Sequence, residues 1–91
     1  MSGGYFDYVQ YRIFEAADDL EQAIKNRSEG EYAYTERTLC KFELGLFYLR
    51  QAATYLHRID YLLECDDGED TFHIRLKEDL EKLVGEEGKN V

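Results

Sequence analysis

The stretch TERTLCKFELGLFYLRQAATYLHRIDYLLE, Thr35 to Glu64, decides the fold. Leu39, Phe42, Leu46, Leu49, Ala53, Leu56 and Leu63 recur at alternating steps of three and four, the period of one helical face. Asp60 is the one polar residue in that seam. A second line, Gly45, Tyr48, Ala52, Tyr55, Ile59 and Leu62, runs beside the first. A third patch, Cys40, Leu44 and Phe47, lies on another side of the first half. The spacing predicts a long helix over residues 35–64, about 45 Å at the standard rise. Thr35 is placed to cap it through its hydroxyl. A helix this apolar must be covered on most of its sides.

The flanking segments supply part of that cover. Phe6, Val9, Ile13, Ala16, Ala17, Leu20, Ala23 and Ile24 form a stripe that predicts a helix over about 5–27. Residues 28–34 read as a loop, with Tyr32 and Tyr34 laid against the bundle. The acidic gap from Cys65 to Asp70 centres on Gly68. Asp70 or Thr71 then caps a third helix, about 71–84, with Phe72, Leu76, Leu80 and Leu83 inward and Gly85 at its C-terminal end. Residues 86–91 read as a flexible tail. The expected fold is all-α: a single domain over residues 1–85, a three-helix unit with a long central helix. Its core supplies roughly 3–5 kcal/mol by the usual rule for chains of this size. Helices one and three cover one side of helix two and leave Cys40, Leu44 and Phe47 bare. That patch is the expected interface of a helical homo-oligomer.

Composition narrows the chemistry. The 91 residues carry 20 acidic and 11 basic side chains, a formal charge of −9. A general nucleic-acid coat needs a cationic face, so direct nucleic-acid binding is excluded. No apolar run approaches the length of a membrane span. Met1-Ser2-Gly3-Gly4 leads into no signal-peptide core, so a cytoplasmic protein is expected. On a continuous helix Cys40 and Cys65 lie roughly 37 Å apart, beyond any disulfide, and two reduced thiols fit the same compartment. The acidic run from Glu64 to Asp70 lacks the alternating ligands of a calcium loop. His57 and His73 have no partner at ligand spacing. No metal, cofactor or catalytic constellation is expected, and the chain reads as a non-enzyme.

Two surfaces are candidates for binding. At the N-terminus Tyr5, Tyr8, Tyr11 and Arg12 follow Gly3 and Gly4. Tyr8 and Tyr11 lie off the core stripe with Arg12 beside them, and such a set can stack a base and pair a phosphate. The favoured alternative is packing against the Tyr32/Tyr34 loop or a second subunit, since interfaces also enrich Tyr and Arg. On the long helix Glu43, Arg50, His57 and Glu64 are spaced by seven. That line is a solvated face with ion pairs, or a polar seam between subunits lining a pocket into which Arg50 and His57 donate. Asp60 suggests a buried polar contact, with Arg12 or Arg58 as its partner.

The opening Gly3-Gly4-Tyr5-Phe6-Asp7-Tyr8 with Tyr11-Arg12-Ile13, the step Arg58-Ile59-Asp60-Tyr61-Leu62-Leu63 and the stretch Asp66-Asp67-Gly68-Glu69-Asp70-Thr71-Phe72 resemble a family of small proteins encoded by bacteriophages and prophages. The region Glu29–Thr38 matches it less well. The resemblance implies an accessory role inside a host bacterial cell, with counter-defence foremost. In that role an oligomer would sequester a small nucleotide immune signal, a cyclic nucleotide or an ADP-ribose derivative. The alternatives are an acidic inhibitor that imitates nucleic acid and binds a host defence protein, and a helper in phage structure or assembly.

Overall fold

A computed structural model describes residues 5–89, with side chains described through Val84. It is all-helical over those residues: α1 Val9–Asn26, α2 Glu36–Leu63 and α3 Glu69–Lys89. The expected glycine approach at Gly3 and Gly4 and the last two positions of the expected tail lie outside the described residues.

Each helix end has a local cause. Thr35 caps α2, its Oγ1 accepting the Thr38 amide at 3.3 Å. α1 begins at Val9 rather than near Tyr5, because Asp7 and Tyr8 are left-handed, φ 57 and 62, and fold Tyr5–Tyr8 into a turn. α2 ends on Cys65, also left-handed at φ 64. The Asp66 amide bonds to the Tyr61 carbonyl at 2.9 Å and the Cys65 amide to that of Leu62 at 3.1 Å, the paired bonds of a Schellman cap. The residue that turns the chain is therefore Cys65, not Gly68. Gly68 instead opens α3, its carbonyl accepting the Phe72 amide at 2.9 Å. α3 consequently starts at Glu69, before the expected cap at Asp70 or Thr71. It also runs through Gly85 to Lys89, where an end near Val84 and a tail were expected.

α2 packs against both other helices, while α1 and α3 do not touch each other. The body measures 51 × 26 × 14 Å, so the helices form one layer. A single layer has little interior. Among the described residues only Ala17, Leu46 and Ala53 are buried apolar side chains. The first α2 seam faces inward, with Leu46 and Ala53 buried and Leu39, Phe42, Leu49 and Leu56 half-buried, but Leu63 is exposed. Much of the second line is bare: Tyr48 is 60% and Tyr55 43% exposed. Of the third patch, Cys40 and Leu44 are exposed and Phe47 is half-buried. The uncovered surface is thus wider than Cys40, Leu44 and Phe47.

Most of the expected α1 stripe faces inward, with Phe6, Ile13, Leu20, Ala23 and Ile24 half-buried. Gln10 and Ala17 are fully buried and Phe14 is half-buried, while Val9 and Ala16 face water. Gln10 is buried beside that stripe in a polar contact at the candidate site.

Candidate functional site

The N-terminus of α1 meets the C-terminal half of α2 around Asp60. This carboxylate is completely buried. Its Oδ1 accepts the Tyr5 backbone amide at 3.0 Å, and its Oδ2 accepts Nε2 of Gln10 at 2.6 Å. Arg12 and Arg58, the partners expected from sequence, are not used. Arg12 is exposed and joins none of the ion pairs among the described residues. Arg58 reaches α3, where its Nε donates to Oδ2 of Asp79 at 2.7 Å. The Oε1 of Gln10 is buried without a partner. Gln10 carried no signal in the sequence beyond a polar residue next to an apolar stripe.

An aromatic chain surrounds this contact. The Tyr8 and Tyr11 rings lie 6.0 Å apart. Tyr11 meets the edge of His57 at 6.0 Å, and His57 meets Tyr61 at 4.8 Å, both nearly perpendicular. Edge-to-face contacts of this kind are favourable packing. Tyr11 therefore leans on α2, although its spacing placed it away from the core side of α1. Partial loss of solvent raises the Tyr11 phenol above its ordinary value, with Tyr61 and Asp60 adding to the rise. Burial also lowers His57, assisted by the charge of Arg58 and opposed by Asp79 and Asp60. Its Nδ1 is buried and unpartnered.

The six candidate ligand residues do not converge. Tyr8 and Tyr11 line up with His57, the Tyr5 ring packs on Phe6 at 5.0 Å, and Arg12 next to Tyr11 is exposed. Arg50 is two turns from His57, about 10 Å along the helix. Its guanidinium is committed to Asp18 at 3.5 Å and Glu21 at 3.3 Å on α1. Within one chain Arg50 and His57 stand apart, and the seam expected between subunits would need a second copy. The Tyr5 amide is likewise taken by Asp60.

In the loop, Tyr34 packs on Phe42 at 5.6 Å with Arg27 stacked 4.8 Å over its ring, whereas Tyr32 is 74% exposed. Both cysteines are free and exposed. No cluster of three or more His, Cys, Asp or Glu side chains converges among the described residues. No helix among them is long and apolar enough to cross a membrane. No protein-family model, curated protein or solved structure matches the chain.

Proposed function

We propose that this chain is a non-catalytic accessory protein that acts by binding another protein through the bare face of α2, with its acidic charge favouring a basic partner. The observation that carries this reading is the exposure of Leu44, Tyr48 and Tyr55 on one face of α2, at 44%, 60% and 43%. Contiguous apolar and tyrosine surface on a folded chain marks a contact surface. A formal charge of −9 would steer encounters toward positive surfaces. In the phage setting that the sequence resembles, such a partner would be a host protein that normally holds nucleic acid. The test is a binding titration against basic nucleic-acid-binding proteins of the host, with duplex DNA as competitor. Binding that DNA displaces, and that Tyr48→Asp and Tyr55→Asp remove without loss of helix content, supports it. Binding unaffected by those changes, or no binding, overturns it.

The nucleotide-sequestering reading takes second place. In its favour are the exposed Tyr8 and Tyr11 rings and Arg12 beside them, exposed and in no ion pair among the described residues. It ranks lower because Tyr11 already spends a ring edge on His57 and Arg50 is committed elsewhere. A thermal-shift screen with cyclic nucleotides and ADP-ribose derivatives separates the two, since an acidic mimic responds to none of them.

A further inference from the structure

The turn at residues 5–8 stands where local signals favour a helix. The apolar period of α1 runs back beyond its first residue, with Phe6, Val9 and Ile13 at steps of three and four. Asp7 is an acid that suits the first turn of a helix. Yet Asp7 and Tyr8 hold φ of 57 and 62, a conformation that L-residues avoid. α1 then starts at Val9 with no side-chain cap from Tyr8. Asp7 is exposed, so burial of its side chain does not hold the turn. One long-range bond acts against these local preferences. The Tyr5 amide donates to Oδ1 of the buried Asp60 at 3.0 Å, 55 positions away.

We propose that residues 5–8 are a latch with two arrangements: a turn held closed by Asp60, and a helical turn that extends α1 back to Tyr5. Each left-handed L-residue disfavours the closed form by roughly tenfold, so the pair disfavours it by on the order of a hundredfold. The bond from Tyr5 outweighs that penalty because its acceptor is a buried carboxylate, and charge-assisted bonds are the strong ones. Opening breaks this bond alone. The Gln10 bond to Asp60 and the Arg50 pairs with Asp18 and Glu21 keep α1 on α2. The two forms present different surfaces. On a continuous helix Tyr5, Tyr8 and Arg12 fall at i, i+3 and i+7 and share one face. The closed turn interrupts that face ahead of Val9, with the Tyr5 ring on Phe6 at 5.0 Å. Any ligand that needs the continuous face must select the open form, and its binding draws the latch open. The latch is a property of the chain itself and rests on neither reading of the function.

The experiment reads backbone conformation at Phe6, Asp7 and Tyr8 of the full chain by NMR, from amide–Hα couplings and α-carbon shifts. Tyr5→Pro removes the donated hydrogen and leaves the Gln10 bond in place. Proline also suits the first turn of a longer helix, where its missing N–H has no partner to lose. In this variant the couplings at Asp7 and Tyr8 should fall to helical values, and the shifts at all three positions should become helical. Tyr5→Ala keeps the amide and removes only the ring, so it should retain the left-handed values of the parent. Asp7→Ala leaves both bonds to Asp60 in place, disfavours the left-handed state further and favours the helix. It should move the same signals part of the way, and it decides alone if Tyr5→Pro fails to fold. Left-handed values in Tyr5→Pro, the coil values of a frayed end, or an equal change in Tyr5→Ala overturns the proposal. So does Asp7→Ala with the parent signals unmoved.

Discussion

Nε2 of Gln10 lies 2.6 Å from Oδ2 of Asp60, and both side chains are fully buried. With the Tyr5 amide on its other oxygen, this one carboxylate joins the N-terminal turn, α1 and α2. The turn needs left-handed backbone at Asp7 and Tyr8, which disfavours L-residues by roughly 1–2 kcal/mol each. The bond from Tyr5 to Asp60 offsets that strain.

Removing either side of this contact should cost more than an ordinary surface change. Gln10→Met leaves a buried carboxylate with one donor fewer, at a cost of about 3 kcal/mol. Asp60→Ala removes the acceptor from both the Tyr5 amide and Gln10 and leaves those donors buried, at about 1–3 kcal/mol. Because both remove the same bond, the double variant should lose less than the two costs added. Urea unfolding of the four proteins measures the coupling, and additive values would show that the bond contributes nothing.

The polar hold on α3 is narrower. Arg58 and Asp79 are both mostly buried, with side chains 18% and 23% exposed, and they join α2 to α3 through a 2.7 Å bond. Asp79→Ala should destabilise the chain by about 2 kcal/mol, the scale of a hydrogen bond to a charged group. Amide exchange should quicken along α3 more than along α1, which keeps its own links through Asp60 and Arg50. Equal acceleration in both helices would mean that α3 does not open separately.

The helical period was sufficient to locate three helices and to place Leu46 and Ala53 inside. It did not show their arrangement in one layer, because an apolar line on a helix looks the same whether a neighbour covers it or not. Tyr48 and Tyr55 illustrate this: they lie in register with a second seam and stand in solvent. The acidic gap was centred on Gly68, yet Cys65 takes the left-handed position after α2, held by local bonds to the Tyr61 and Leu62 carbonyls. Asp60 was legible as a residue with a buried polar partner, but the partner proved to be a glutamine and a backbone amide. An amide donor fifty positions away leaves no sequence signature, whereas arginines attract attention by charge.

Acid should weaken the fold through His57. Its imidazole is held below the ordinary value of about 6.5 by burial first and by Arg58 second. A lowered folded-state value means that the unfolded chain binds the proton more readily. The resulting stability is whole above the ordinary value and is lost as pH falls through it toward the folded value. Melting temperature should therefore drop on acidification below about pH 6.5, within the range where histidine titrates. His57→Phe keeps the edge contacts with Tyr11 and Tyr61 and removes the titration, so its melting curve should flatten there. A variant with the same pH profile as the parent would assign the loss to other groups.

The N-terminal tyrosines give opposite results under the two readings of their role. Tyr11 is 42% exposed but sits edge-on to His57, and Arg12 is exposed and unpaired among the described residues. If the cluster stacks a nucleotide, Tyr11→Ala removes about 1–3 kcal/mol of binding. Arg12→Ala then removes a charge-assisted contact, and the difference from the parent shrinks with added salt. If the cluster is packing, Tyr11→Ala loosens the α1–α2 seam and lowers the melting temperature, while Arg12→Ala does almost nothing because it holds no partner. The geometry favours the second outcome. Thermal melts of the parent and both variants, with and without cyclic nucleotides and ADP-ribose derivatives, distinguish them. A ligand-induced rise in the parent that both variants lose would restore the nucleotide reading to first place.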